Sequence, residues 1–356
     1  MQAVSLRWNR ALASPHTAAI RCEVWDRGIQ VSKAMPFISG DVTDKWVSGI
    51  RRNISLTVPQ SPRWREILST PLIELRPFRG INYGTGAPET VPLGRFPVVF
   101  DSSSANPEAP MQIEADDRWQ LLVADDFYGP TVSGTGLIRT EIARLVGQTA
   151  LGAVTDTATS TATMGLRMYE NGRHAAIMDL CEAIGAEIHV DRLGVVILRN
   201  RPATTAPVYT VESGDNGTMV ALTGNRDWQQ VFNIVAVRPT ATYISFPPVI
   251  VSVTDPADPA HPSRIGRRVY RMDTSLVADV GQARTAGLAK LRKLSAPQRS
   301  LSVTCVPNAA LDASDCLGAI WPDGTFEAAQ IDQINHPLTN ADAQQISTIL
   351  NRAETP

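Results

Sequence analysis

The chain has 356 residues, 43% hydrophobic and 19% charged, with a formal net charge of −2. That length supplies two to four compact units with sizeable cores, and the composition excludes wholesale disorder. The near-neutral charge, with no basic stripe or tail, argues against a dedicated nucleic-acid binder.

The apolar runs, such as Val249 to Val253, fall far short of the roughly 20 residues of a membrane-spanning helix. The N-terminal segment lacks the apolar core of a secretory signal. The chain is therefore expected to be made and kept in a cytoplasm unless it leaves with a larger particle. Cys22, Cys181, Cys305 and Cys316 show no CxxC spacing and lie in apolar stretches, so buried reduced thiols are expected. Lysine occurs only at Lys33, Lys45, Lys290 and Lys293, against 29 arginines, a skew that points to a GC-rich genome and not to a binding function.

Residues 1–21 read as an N-terminal arm. From Cys22 the pattern is that of strands. Cys22, Val24 and Trp25 precede a turn at Asp26–Gly28, and Ile29 and Val31 follow it. Further on, Ile54, Leu56 and Val58 alternate with Ser55 and Thr57, and Ile73 and Leu75 oppose Leu72, Glu74 and Arg76. Strands are also expected at 91–100, 111–117 and 119–127. Six or seven short strands over 22–127 argue a barrel or sandwich.

Composition shifts at Gly129. Over 128–202 the spacing predicts a helix at 135–147, with Leu137, Ile138, Ile142, Leu145 and Val146 on its apolar face. A second helix carries Ala176, Ile177, Leu180, Cys181 and Ile184 and is capped at Gly185. A hairpin turning at Arg192–Gly194 completes this α+β unit. Strands resume over 203–240, with Val231, Ile234, Val235 and Val237 reading as a long buried strand. Residues 241–297 hold a Pro/Asp-rich extended excursion and a helix over 278–294 with Val280, Ala283, Leu288, Leu291 and Leu294 on one side. The closing strands fall within 298–352. A weak internal echo relates PLGRFPVVF and MQIEADDR to DGTFEAAQIDQINHPL and ISTILNR.

The chemistry-bearing residues form no local constellation. His16, His174, His189, His261 and His336 have no metal-ligand spacing and read as structural. Asp116–Asp117 and Asp125–Asp126 are adjacent pairs. Neighbours on a strand point to opposite faces, so neither pair can flank one bond, and turn solvation is the expected role. Gly134 and Gly136 make half a phosphate loop without the GK[ST] that would complete it; a flexible junction is expected. The seven tryptophans are scattered, with no basic run to make a stacking platform. No catalytic, cofactor-binding or metal residue is therefore assigned, no cofactor is expected, and the chain reads as no enzyme.

The order of segments is nonetheless distinctive. VPLGRF and IEADDRWQLLVADDF close the first strand-rich unit, and RHAAIMDLCEAIGAEIHVDRLGVVILR follows. VFNIVAVRP, GQARTAGLAKLRKL, RSLSVTCVPNAALDASDCLGAI and INHPLTNADAQQISTILNR complete the series. This order, over roughly 20–352, resembles the tail-hub proteins of long-tailed phages, relatives of the baseplate hub of contractile tails, and in particular minor tail proteins of actinobacterial phages. The resemblance implies a mainly β fold with α+β inserts: two tail-tube-like β-barrel domains plus two small α/β domains. The barrels would be 22–127 and the discontinuous 203–240 plus 298–352, with inserts at 128–202 and 241–297. It further implies a homotrimeric ring at the tail tip of the virion, adapting a sixfold tail to a threefold tip around the DNA channel. The implied partners are the distal tail protein ring, the tape measure protein and tip or receptor-binding proteins, while DNA passes without specific binding, through a lumen expected to be neutral or acidic. The chain ends soon after its last strand, which leaves no room for an appended hydrolase. The rival readings are a tail-tip receptor- or carbohydrate-binding module and a cell-wall hydrolase.

Overall fold

A computed structural model describes residues 1–98, 100–102, 109–169, 172–202, 206–229, 231–239, 246–274, 279–295 and 298–349. Val99 of the strand expected at 91–100, and the expected unit ends at 203, 240 and 352, lie outside the described residues.

The expected hairpin forms first. Thr17–Asp26 pairs with Ile29–Ser32 through a two-residue turn in which Arg27 and Gly28 both take positive φ, 44° and 83°. That is the turn geometry whose twist matches paired strands. Thr17–Asp26 also pairs with Glu74–Asn82, which continues to Glu89–Pro92 and Phe96–Pro97, so five strands make a smaller sheet. The larger sheet has ten strands. Its main path runs Met219–Asp227, Gln298–Cys305, Gln344–Ile349, Phe326–Pro337, Ser39–Lys45, Arg52–Val58, Met111–Asp116 and Phe100–Ser102. Cys316–Ile320 adds to Phe326–Pro337, and Tyr209–Val211 lies parallel beside it.

Early and late strands therefore share one sheet, and no sheet closes on itself among the described strands. Phe326–Pro337 is the reason. It is twelve residues long, and its register with Gln344–Ile349 shifts between Ile331 and Gln333. Such a bulge bends a strand and re-aims its edge. Beyond it, Gln333 to Pro337 pair with Lys45 to Asp41, and the Trp46 amide donates to the Asp332 carbonyl. The echoing segments diverge: Phe96–Pro97 is a two-residue strand of the smaller sheet, whereas Phe326–Pro337 is central to the larger one.

The alternation read from sequence is the burial pattern observed. Ile54, Leu56, Val58, Ile73 and Leu75 are buried between the two sheets with Cys22, Val24, Val42 and Ile113. The supposed N-terminal arm is part of this core. Leu6–Leu12 is a helix that buries Trp8 and Leu12, and the first strand begins at Thr17. The Trp8 indole N–H donates to Asn308 Oδ1 at 3.0 Å, an anchor 300 residues away that spacing alone cannot reveal.

Residues 119–127 correct a second expectation. They are not a strand; Gln120–Ala124 is a short helix, and Trp119 and Leu122 belong to the core of the α+β insert. Asp117 causes the turn. Its carboxylate accepts from the amides of Arg51, Arg52 and Trp119, each at 2.9 Å, so the chain leaves the sheet there. Within the insert, helices Ile138–Gly147 and Arg173–Ala183 pack on a three-stranded sheet of Val154–Asp156, Val196–Asn200 and Ala186–Val190.

A third correction concerns Val231 to Val237. Ile234–Pro239 does not join the large sheet; it pairs with Val249–Ser252 and, in parallel, with Val269–Thr274. Helix Val280–Leu294 covers this sheet. Its buried line is Ala283, Gly287 and Leu291, at i, i+4 and i+8, while Val280 and Leu288 are exposed. A Cβ at Gly287 would stand 3.0 Å from side-chain atoms of both Val237 and Val251, so any larger residue there must push those valines aside. Asn233 fixes the excursion that follows. Buried completely, it donates to the carbonyls of Ala260 and Gly266 and accepts from the Arg268 amide. Asn233→Leu is expected to cost about 2–4 kcal/mol through three orphaned backbone groups, measured as a drop in urea-unfolding free energy; a change under about 0.5 kcal/mol counts against the clamp.

Candidate functional site

The greatest concentration of polar chemistry is a buried ionic junction where three parts of the chain meet. Strand Ser39–Lys45 supplies Asp44, Arg52 opens the next strand and Arg51 immediately precedes it. The insert hairpin, Ala186–Val190 and Val196–Asn200, supplies Glu187, His189, Arg192 and Arg199. The loop after Gln298–Cys305 supplies Asp312 and Asp315.

The contacts are dense. Arg51 Nε donates to Asp44 Oδ1 at 2.8 Å, and Arg52 Nη2 lies 3.1 Å from Asp44 Oδ2 and 3.2 Å from Asp312 Oδ1. Arg192 Nε donates to Asp312 Oδ1 at 2.7 Å, and its other nitrogens donate to the carbonyls of Pro92, Ala309 and Leu311. Arg199 pairs with Glu187 and donates to Ser314 Oγ at 2.8 Å; Glu187 also accepts from the Trp46 indole at 2.7 Å. Arg52 Nη1 donates to the Val190 carbonyl, which ties the hairpin to the sheet.

Burial alone would raise the Asp44 carboxyl, but Arg51 and Arg52 hold it down at about 2. Asp312 resists the same burial penalty through Arg192, Arg52 and Arg51 and lies well below the usual carboxylate range. Asp44 and Asp312 are thus kept ionised beside guanidiniums, whereas burial raises the carboxyl of Asp315, whose partner is the N-terminal ammonium at 2.6 Å. Such a cluster holds parts of the chain together.

The residues considered from sequence lie apart. His189 and His336 are buried, and burial first, then Arg51 and Arg192 respectively, keeps them neutral; His336 is lowered to about 3. His336 Nδ1 is 3.0 Å from Gln344 Nε2. His174 Nδ1 accepts from the Trp119 indole at 3.1 Å. His261 accepts from the Ser263 amide at the start of a short helix, and His16 Nδ1 lies 2.9 Å from the Ser14 carbonyl.

The acidic pairs need a correction, because they do more than solvate turns. Asp117 is buried, which pushes its carboxyl up to about 6 although three backbone amides partly offset the burial. Asp126 accepts from the amides of Arg173 and Phe127 and so caps helix Arg173–Ala183 from a distance in sequence. Gly134 does not open a phosphate loop. It packs on the chain's own Glu141 carboxylate, which is bidentate to Arg144 at 2.7 Å and accepts from the Tyr169 hydroxyl. The four cysteines are buried and none is in a disulfide; burial pushes the thiols of Cys22, Cys181 and Cys305 up to about 12. Among the described residues no group of three His, Cys, Asp or Glu is placed to hold a metal, and no helix is long and apolar enough to cross a membrane.

Sequence reasoning missed the junction because its members lie at 44–52, 187–199 and 312–315. Each is an unremarkable charge locally.

This arrangement of two β-sheets, an α+β insert and a helix-covered three-stranded sheet is similar in fold to solved tail proteins. The chain is similar to the tail protein from Neisseria meningitidis MC58, with a TM-score of 0.65 and 10% identity over 95% of this chain and 98% of that one. It is similar to the 43 kDa tail protein of prophage MuSo2 from Shewanella oneidensis, with a TM-score of 0.62 and 17% identity over 93% and 98%. Prophage tail protein gp18 from Listeria monocytogenes EGD-e gives a TM-score of 0.55 and 14% identity over 93% and 95%. In sequence, residues 174–334 match the family described as putative phage tail protein, Phage-tail_3. No curated protein matches the sequence.

Proposed function

We propose that this chain is a structural, non-enzymatic subunit of a phage-type tail, and that three copies form a ring at the tail tip around the DNA channel. The observation that carries this reading is the extent of the fold match: 95% of this chain is covered by 98% of a tail protein. The family match over 174–334 points the same way.

In this reading the early strands, over 17–116, and the late strands, over 209–227 and 298–349, act as two tube-type modules per chain that share the large sheet. Three chains then present six, which lets a threefold ring stack on a sixfold tail. The distal tail ring, the tape measure protein and tip or receptor-binding proteins are the partners, and the ring belongs to the virion. Closed rings of this kind use head-to-tail contacts and bury well over about 2,000 Å² per interface. The buried junction suits the role, because a load-transmitting ring needs its inserts fixed to its sheets.

The test is negative-stain electron microscopy of the purified chain with its mass from light scattering. Annular particles of three chains with six lobes are expected. A compact monomer at high concentration overturns the ring as a property of this chain, and a lysis band in zymography against host cell walls overturns the non-enzymatic reading.

A further inference from the structure

One partly buried face gathers more arginines than carboxylates. On the smaller sheet, Arg21 lies opposite Phe78, Glu23 opposite Arg76, and Trp25 opposite Glu74. The guanidinium of Arg21 stacks 3.9 Å from the Phe78 centroid, and that of Arg76 stacks 3.9 Å from Trp25. Stacking of this kind holds an arginine flat and partly desolvated while its edge stays open to an acceptor.

Beside this ladder three arginines share one carboxylate. Arg76 Nε donates to Glu74 Oε1 at 2.5 Å, but Arg95 stands 3.9 Å from the same oxygen and Arg118 Nε 3.7 Å from Oε2. Neither distance is a hydrogen bond. Arg118 donates through Nη1 to the Gly194 carbonyl at 3.1 Å, while its Nε is buried without a hydrogen-bond partner. Arg95 and Arg118 are nevertheless held in place. Both cross the insert turn at Gly194, where φ is +84° and a Cβ would stand 2.7 Å from Arg95 Cδ and 3.1 Å from Arg118 Cδ. The result is a fixed, partly buried trio of arginines around Glu74, with Asp191 as a second carboxylate acting on Arg95, a local excess of one positive charge on a chain whose formal net charge is −2.

We infer that this face, Trp25–Arg76–Arg95–Arg118, is a contact between copies of this chain, receiving a carboxylate from an acidic part of the neighbouring copy. The inference rests on the ring reading above. Charge decides the occupant. The rest of the chain is more acidic than the whole, so a head-to-tail neighbour offers the complementary sign. A polyanionic nucleic acid would meet a net-negative molecule and only a small basic area flanked by Glu23 and Glu74, not a continuous stripe. Partly buried arginine and tryptophan are also the side chains that concentrate binding energy at protein interfaces.

The test is sedimentation velocity of the full chain at low and high salt. In the double variant Arg95→Gln/Arg118→Gln, association is expected to weaken about tenfold at low salt and to lose much of its salt dependence. Glu74→Gln removes the competing carboxylate and is expected to tighten association a few-fold; it keeps the inference falsifiable if the double variant fails to fold. Unchanged association and salt slope in both variants, with rings still seen by microscopy, overturns the contact and leaves the ring reading standing. Absence of any wild-type association overturns both. Loss of binding to a single-stranded oligonucleotide in the double variant, with association unaltered, assigns the face to nucleic acid and likewise overturns the inference.

Discussion

Replacing Arg192 with leucine is expected to lower the unfolding free energy by about 3–5 kcal/mol, the usual cost of removing one member of a buried ion pair. Arg192 is 3% exposed. Its loss leaves the Asp312 carboxylate with Arg52 at 3.2 Å as its remaining guanidinium among the described contacts, and strips a donor from the carbonyls of Pro92, Ala309 and Leu311. Leucine cannot return those hydrogen bonds, and water has little access. Native domains are stable by only about 5–15 kcal/mol, so the loss is a large share of the total. Urea unfolding with intrinsic tryptophan fluorescence gives the value. A second substitution, Asp312→Asn, should restore part of the stability of Arg192→Leu, because the uncompensated charge is gone. A cost under about 1 kcal/mol for Arg192→Leu, or no rescue, shows that the junction does not hold the hairpin.

Acid is expected to destabilise the protein before most of its carboxylates titrate. The unfolded chain takes up a proton at each histidine near 6.5, whereas His336 in the fold does so only near 3 and His189 well below 6.5. Between those values the unfolded state binds more protons, so stability falls as the pH drops through that window. Asp117 works in the opposite sense. Its folded pKa is raised from 3.8 to about 6, so the folded state binds the extra proton there and gains stability as the pH falls. From pH 7 to pH 5 His336 alone contributes a loss of about 2 kcal/mol, of which Asp117 offsets about 1; His189 and His174 add to the loss, and Asp41, Asp116, Asp315 and Asp332, raised by burial, act in the sense of Asp117. Lower still, through 3.8 toward 2, Asp44 and Asp312 add their own loss, because both stay ionised in the fold. Unfolding free energies measured at stepped pH check this. His336→Gln should flatten the slope between pH 6 and 4 by about one proton, whatever it does to stability at neutral pH. A slope equal to that of the wild type removes His336 from the account.

Much of the mainly β architecture was legible. The alternation of Ile54, Leu56 and Val58 and of Ile73 and Leu75 states which face is buried, since a strand has only two faces and water selects between them. The helices at 138–147 and 173–183 were legible from the spacing of Ile142, Leu145, Ile177 and Leu180. The hairpin at Asp26–Gly28 follows from turn chemistry.

Other elements failed for identifiable reasons. Over 119–127 the apolar run WQLLVA satisfies a strand as well as a helix; three amides drawn to Asp117 decided for the helix. Leu288 fits a helical stripe by spacing but is exposed, because the sheet below accepts the line through Ala283, Gly287 and Leu291. Asp126 looked like solvation of a turn and is the cap of a helix that begins 47 residues later. The junction and the arginine face were not legible at all.

Local sequence determined strand and helix character, the buried face of most strands and the position of several turns, since these follow from periodicity and from glycine's reach in φ. Tertiary structure alone decided which strands are neighbours: that Phe326–Pro337 bridges to Ser39–Lys45, that Ile234–Pro239 leaves the large sheet, and that Asp44, Arg192 and Asp312 meet. Backbone hydrogen bonding is the same for any pair of strands, so pairing is chosen by the shape of the shared core and by where buried charges can be matched, and both are properties of the folded chain as a whole.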